Sequence, residues 1–102
     1  MSLVAHITLT LPTQNTDGST LALSDIESIH IYVDQASPPT NLQQVVSGPF
    51  SNANQSFDVD ITSLGCETLN FAASVVNTQG VESAVSSLVT KTYQKPIAIR
   101  FI

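Results

Sequence analysis

Residues 64–83 constrain the fold more than any other part of the chain. Apolar residues alternate there with small or polar ones: Leu69, Phe71, Ala73 and Val75 against Asn70, Ala72, Ser74 and Val76. This two-residue period is typical of a β-strand. Residues 77–80 (Asn-Thr-Gln-Gly) supply turn chemistry, because glycine tolerates positive φ, and the Ser-, Thr- and Val-rich residues 82–93 predict a second strand. The segment therefore predicts a long β-hairpin.

The rest of the chain shows the same pattern in shorter pieces. Alternating apolar residues predict strands at residues 3–11, 29–33 and 56–61, and residues 42–46 predict a short edge strand. Clusters of Gly, Pro, Asn and Ser separate these pieces, and a helical period is absent from the sequence pattern. The side chains expected to face the core are Ile29, Ile31, Val33, Phe57, Val59 and Ile61.

Length and composition agree with an all-β domain. The chain has 102 residues, of which 42% are hydrophobic, so it can bury one core but not two. We therefore predict a two-sheet antiparallel β-sandwich of about seven strands.

Three motifs resemble fibronectin type III domains of the bacterial and phage type. Leu69-Asn-Phe-Ala-Ala-Ser-Val-Val-Asn77 with the following turn resembles strands F and G, residues 9–21 resemble strand B and its loop, and Ile29-His-Ile-Tyr-Val33 resembles strand C. Leu9, Ile29 and Leu69 stand where the family has aromatic residues, so the core would be an aliphatic variant. The resemblance implies an immunoglobulin-like scaffold rather than a catalyst, spanning residues 1–95.

Residues 96–102 extend beyond this pattern as an extra strand or arm. Ile97, Ile99 and Phe101 share one face, Arg100 lies on the other, and Pro96 suits the first position of a strand. Such an apolar segment needs a packing partner. It either folds back onto its own sandwich or adds to the sheet edge of a neighbouring copy.

Charge excludes two classes of partner. The net charge is −5 and offers no basic patch for nucleic acid or for an anionic membrane. All eight acids lie between Asp17 and Glu82, whereas Lys91, Lys95 and Arg100 are the only Lys and Arg residues. A basic tail on an acidic body favours docking of the tail on its own domain or a neighbour's. Only 11% of residues are charged, which fits either a surface packed against other subunits or a lineage preference.

Targeting signals are also missing from the pattern. Cys66 is the only cysteine, so no intrachain disulfide can form, and the first residues lack a signal-peptide pattern. No apolar run is long enough for a transmembrane helix. We therefore expect folding in a cytoplasm, as for a virion component, or as a domain of a larger extracellular protein.

Residues able to carry catalysis are few and scattered. Asp58 and Asp60 share one strand face and are expected to be solvated charges rather than metal ligands. His6 and His30 fall on outward faces of opposite sheets, which would keep them apart from each other and from Cys66. We predict no enzymatic activity, no cofactor and no metal.

Interaction surfaces are the remaining candidates. The outer face of the central strands would present a flat patch without charge, formed by His30, Tyr32, Ala72, Ser74 and Val76. Two loops, residues 34–43 and 77–82, would present further contacts. The loop residues singled out are Asp34, Pro38, Pro39, Asn77, Gln79 and Glu82.

These observations leave three functional hypotheses. The first is a structural or adhesive protein of a bacteriophage virion, in a capsid decoration, tail or fibre role, whose partners are other protein subunits. The second is an accessory spacer or carbohydrate-presenting module of a larger bacterial extracellular protein. The third is recognition of a host-surface glycan or protein through the loops. The arm and the outer face would carry the contacts in the first hypothesis.

Overall fold

A computed structural model describes residues 3–64, 68–93 and 96–102. Two single-turn 3₁₀ helices, Leu23–Asp25 and Thr62–Leu64, accompany the strands, and within the described ranges no helix is long and apolar enough to cross a bilayer. The described residues form six strands: β1 (Val4–Thr10), β2 (Ile26–Asp34), β3 (Leu42–Ser47), β4 (Asn54–Asp60), β5 (Thr68–Asn77) and β6 (Val89–Thr92).

The strands form two antiparallel sheets that pack as a sandwich. One sheet has the order β1-β4, and the other has the order β3-β2-β5-β6. In the larger sheet, His30 of β2 lies opposite Ser74 of β5, and in the smaller sheet Val4 lies opposite Asp60. The predicted fold class is confirmed, with six strands where about seven were expected.

The core lies between the two sheets and is aliphatic. The residues predicted to point inward from β2 do so, because Ile29, Ile31 and Val33 are almost completely buried. Val59 and Ile61 face them from the smaller sheet. The other buried apolar side chains of this core, among the described residues, are Ala5, Leu11, Ile26, Leu69 and Phe71. Phe57, also predicted inward, packs against the core while remaining half-buried.

The predicted strand at residues 82–93 is wrong over most of its length. Ladder pairing with β5 is confined to β6, apart from one bridge between Val76 and Glu82. In the segment between Glu82 and β6, the Ser83 hydroxyl accepts a hydrogen bond from the Val75 N–H, and the Ser86 hydroxyl accepts one from the Ala73 N–H, each at 3.0 Å. The N–H groups of the same two serines donate to the carbonyls of Val75 and Ala73, so the serine hydroxyls replace only the acceptor half of the ladder, which interrupts its regular form.

The C-terminal arm, residues 96–102, contains no strand and does not fold back onto its own sandwich. Every one of its residues is exposed, with Ile97 at 92% and Phe101 at 97% exposure. The long axis of the molecule, which measures 66 × 25 × 18 Å, is much longer than the span of about 33 Å expected for the strand β5. The chain therefore extends beyond its own sandwich. The extra strand expected here is therefore absent from the isolated chain, because a strand requires a neighbour for its hydrogen bonds.

Candidate interaction surfaces

The outer face of the larger sheet brings together the polar residues predicted for an interaction patch. Antiparallel pairing of β2 with β5 sets His30 opposite Ser74 and Tyr32 opposite Ala72. Ala72 and Ser74 are only 4% and 3% exposed, and His30, Tyr32 and Val76 are half-buried. This face is therefore covered.

Glu82 provides part of that cover. Its Oε2 atom accepts hydrogen bonds from the Tyr32 hydroxyl, at 2.6 Å, and from the Ser74 hydroxyl. The His30 Nδ1 atom lies 3.5 Å from the same oxygen. The His30 and Tyr32 rings meet edge to face, with centroids 6.3 Å apart. We call these four residues, His30, Tyr32, Ser74 and Glu82, the Glu82 cluster.

The cluster shifts the titration of its own members. Hydrogen bonds from Ser74 and Tyr32 hold the pKa of Glu82 below its usual value of 4.5. The same carboxylate raises the pKa of Tyr32 above its usual value of 10.0, because the phenol must stay protonated to donate. Ser74 donates to a carboxylate rather than to His30, so the cluster does not have the arrangement of a serine nucleophile and its base.

The prediction of a flat patch without charge is therefore wrong. Sequence periodicity assigned the right residues to this face, but Glu82 lies outside the two strands and reaches the face through the turn at residues 77–81. A carboxylate that accepts several hydrogen bonds fixes the segment after the turn to the sheet. On this face the Tyr32 and Ser74 hydroxyls have an acceptor in Glu82, whereas the buried His30 Nδ1 atom has no hydrogen-bond partner among the described residues.

The first predicted contact loop is held by Asp34. Its carboxylate accepts backbone N–H bonds from Ala36, Thr40 and Asn41 at 2.7, 2.8 and 2.9 Å. The bond from the Thr40 N–H contributes most to lowering the pKa of Asp34. Pro39, which lies between the bonded residues Ala36 and Thr40, is buried, and this corrects the expectation that it is exposed.

The second predicted contact loop is a tight turn. The side-chain oxygen of Asn77 accepts bonds from the N–H groups of Gln79 and Val81, and Gly80 closes the turn with φ of +84°. Gln79 is exposed, as is Pro38 in the first loop. The two loops lie at opposite ends of β2, because its first residue, Ile26, pairs with Asn77 and its last residue, Asp34, pairs with Asn70. They cannot form one contact surface.

Sequence reasoning missed an apolar groove between β1 and β6. Its volume is about 380 Å³. One wall is β1, the floor is the inner face of β5, and the other wall is β6 with the residues that flank it. The apolar side chains that line it include Ala5, Ile7, Leu9, Ile31, Phe71, Ala73, Val89 and Tyr93.

The groove arises because the sheets are unequal. Four strands form one layer and two form the other, so the strands β5 and β6 extend past β1 with no described strand opposite them. The individual apolar residues of β1 and β6 look like ordinary strand residues in the sequence. Only the count of strands in each layer, which local periodicity does not give, could have indicated the groove.

The outer edge of β1 has free backbone groups. At the two ends of the pairing between β1 and β4, the Ile61 N–H donates to the Leu3 carbonyl and the Leu11 N–H donates to the Ala53 carbonyl. Because hydrogen-bonded residues alternate along an antiparallel ladder, the residues of β1 that bond to β4 are the odd-numbered ones. The N–H and C=O groups of Val4, His6, Thr8 and Thr10 point the other way, and no backbone partner for them occurs among the described residues.

The other titratable residues that the structure describes form no comparable cluster. His6 Nδ1 lies 2.9 Å from Asp58 Oδ1 on the outer face of the smaller sheet, where both side chains are 67% exposed. Asp60 accepts a bond from the Thr62 N–H. His6 and His30 lie in opposite sheets, as predicted. Cys66 falls outside the described residues, and among the described ones no group of three His, Cys, Asp or Glu side chains could hold a metal.

Comparisons of the chain with protein-family models, with curated proteins and with solved structures found no match in any of the three. The resemblance to fibronectin type III domains therefore stays a prediction from the sequence motifs. The class that the structure defines is a two-sheet antiparallel β-sandwich with an open groove and an exposed apolar arm.

Proposed function

We propose that this chain is a non-enzymatic structural or adhesive protein that works by packing against other protein subunits. The observation that carries the proposal is the C-terminal arm. Its apolar side chains Ile97, Ile99, Phe101 and Ile102 are each at least 85% exposed. Burying such a side chain contributes about 2 kcal/mol, so an arm without a partner forgoes a large stabilisation.

The role we propose is that of a small bacteriophage virion component, in a capsid decoration, tail or fibre position. The motifs that resemble phage-type fibronectin type III domains support this role. The low content of charged residues, 11%, supports it as well, because charged groups lose hydration when subunits pack over them. A protein in such a lattice needs repeated subunit contacts rather than a reactive centre.

The alternative of a carbohydrate-presenting spacer is less well supported. A sugar-binding platform needs exposed aromatic rings on which sugar rings stack. Tyr32 is half-buried and bonded to Glu82, and Tyr93 is half-buried against the groove. The exposed aromatic ring of the arm, Phe101, lies among aliphatic residues, which suits protein packing better than a sugar.

The test is the molar mass in solution of the untagged full chain and of a chain ending at residue 95, each at low and high concentration. We expect the full chain to exceed its monomer mass of 10.8 kDa and to gain mass with concentration. The truncated chain should stay monomeric with an unchanged circular dichroism spectrum, because the arm is exposed. Identical masses for the two chains at every concentration would contradict packing through the arm.

A further inference from the structure

We propose that the groove beside β1 receives the arm of a second copy of this chain, which adds as a third strand to the two-stranded sheet. This inference rests on the proposed function, since it names the partner and the site of the packing. The occupant is residues 96–102 of the second copy, and the receiving surface is the outer edge of β1 with the groove below it.

The side-chain pattern of the arm fits the groove. On β1, Ala5, Ile7 and Leu9 point toward the groove at alternate positions. The apolar residues of the arm recur with the same two-residue period. A strand laid beside β1 therefore carries Ile97, Ile99 and Phe101 into the space above Phe71 and Ala73. This arrangement covers the part of the larger sheet that the two-stranded layer leaves open.

The backbone of β1 fits the arm equally well. Val4, His6, Thr8 and Thr10 present N–H and C=O groups toward the open edge, where a strand from another chain can pair with them. Residues 96–102 are enough to run along the seven residues of β1. Pro96 has no N–H to donate, and it stands at the first position of the arm, where a strand tolerates this.

Charge favours the same orientation. With Ile97, Ile99 and Phe101 inward, Arg100 falls on the outer face of the extended sheet. That face carries the exposed carboxylates of Asp58 and Asp60 on β4. A cation on this acidic face is attracted rather than repelled, and it stays in water.

A second copy is a better donor than the chain itself. The arm follows β6 on the side where Thr92 pairs with Thr68, and all its described side chains are exposed rather than in the groove. The long axis of 66 Å shows that the chain extends beyond its own sandwich. An arm held away from its own groove is free to enter another one, and the same contact repeats from copy to copy.

The decisive variants change one residue on the receiving edge of the full chain. Thr8→Pro removes an N–H that points to the open edge, while the pairing with β4 is made by odd-numbered residues and persists. The matched control is Thr8→Ala, which loses the 3.2 Å hydroxyl contact with Ser56 just as the proline variant does. We expect Thr8→Ala to associate like the parent and Thr8→Pro to be folded and monomeric.

A second pair of variants tests the arm. Ile99→Ser alters the face that enters the groove, and Ala98→Ser alters the outward face one residue away. We expect the dissociation constant to rise about tenfold or more for Ile99→Ser and less than about threefold for Ala98→Ser. Equal changes would show that the arm does not bind as a strand.

Light scattering and circular dichroism on all four variants decide the proposal. Association of Thr8→Pro equal to that of Thr8→Ala would overturn the groove as the receiving surface. If, with that result, deletion of the arm still dissociated the protein, packing through the arm would stand, and only the proposal that the arm binds beside β1 would fail. A full chain that stays monomeric at every concentration would overturn both.

Discussion

The outer face of the larger sheet and the edge of β1 both lie on exposed sides of the fold, but they differ in how their polar groups are satisfied. On the outer face, Glu82 collects donors from Tyr32 and Ser74, and Ser74 is buried beneath it. On the β1 side, the groove is lined mainly by apolar side chains, with Ser86, Ser87 and Lys91 among the others, and the edge carries backbone groups with no described backbone partner.

The difference separates a surface whose buried hydroxyl, Ser74, has its acceptor within the same chain from a strand edge whose backbone groups have no described backbone partner. Buried polar groups with partners hold a structure together without outside help. An apolar groove beside an unpaired strand edge gains stability only when another chain fills it. Periodicity in the sequence treats both surfaces alike, so the structure was needed to tell them apart.

The outer face of the larger sheet lies over the core between the two sheets. We therefore expect a truncation in the core to have the largest effect on stability. Leu69 is completely buried, and we expect Leu69→Ala to lower the free energy of unfolding by about 3 kcal/mol because it leaves a cavity. Val81→Ala, at a side chain that is 61% exposed, should change it by less than about 0.5 kcal/mol. Urea denaturation measures both, and equal losses would mean that the core is misplaced.

Removing the Glu82 carboxylate should have the next largest effect. Glu82→Ala leaves the buried Ser74 hydroxyl without its acceptor, which should cost about 2 kcal/mol. Glu27→Ala, at an exposed carboxylate of β2, is the matched control and should cost much less. Thermal unfolding of the two variants provides the measurement. If both lost the same stability, the outer face would not depend on its hydrogen bonds.

The pH dependence sharpens this prediction. Because the folded pKa of Glu82 is lowered, its contribution is present above about pH 4.5 and is lost as the pH falls through the folded pKa. Because the folded pKa of Tyr32 is raised, its contribution is present below about pH 10 and is lost as the pH rises through the folded pKa.

We therefore expect the stability difference between the parent and Glu82→Gln to be largest near neutral pH. It should shrink as the pH falls through the folded pKa of Glu82, which lies below 4.5, because the carboxylate of the parent then becomes protonated. Asp17, Asp34 and Asp60 also have lowered pKa values, so the parent alone would lose stability in acid for other reasons. Urea titrations of both proteins across the pH range cancel that background. A difference independent of pH would argue against the Glu82 cluster.

The loop at Asp34 should show the smallest effect. Asp34→Ala removes the acceptor of three backbone N–H bonds in an exposed loop. We expect a fall in melting temperature smaller than that of Glu82→Ala and no change in molar mass, because the loop lies outside the groove. A change in association would instead connect this loop with the subunit contact.

Much of the fold could be predicted from alternation alone. The strands β1 to β5 lie where the period of two placed them, since Ile29, Ile31 and Val33 must share the core face. The strand at residues 82–93 was overestimated because Ser83 and Ser86 accept bonds from β5 through their hydroxyls, although their backbone N–H groups still donate to β5, and this pairing depends on the neighbouring strand rather than on local sequence.

The candidate sites were less predictable for the same reason. Alternation shows that residues 96–102 can form a strand but does not supply the partner that a strand needs. The reach of Glu82 to Tyr32 depends on the register between β2 and β5 and on the turn before it. The groove depends on how many strands each layer contains.

Residue-resolved amide hydrogen exchange on β1 tests the central claim most directly. In the full chain at an associating concentration, we expect the N–H groups of His6, Thr8 and Thr10 to exchange as slowly as those of Ile7 and Leu9. In the chain ending at residue 95, the even-numbered amides should exchange fast while the odd-numbered ones, bonded to β4, stay protected. Fast exchange of the even-numbered amides in both chains would contradict an arm bound along β1.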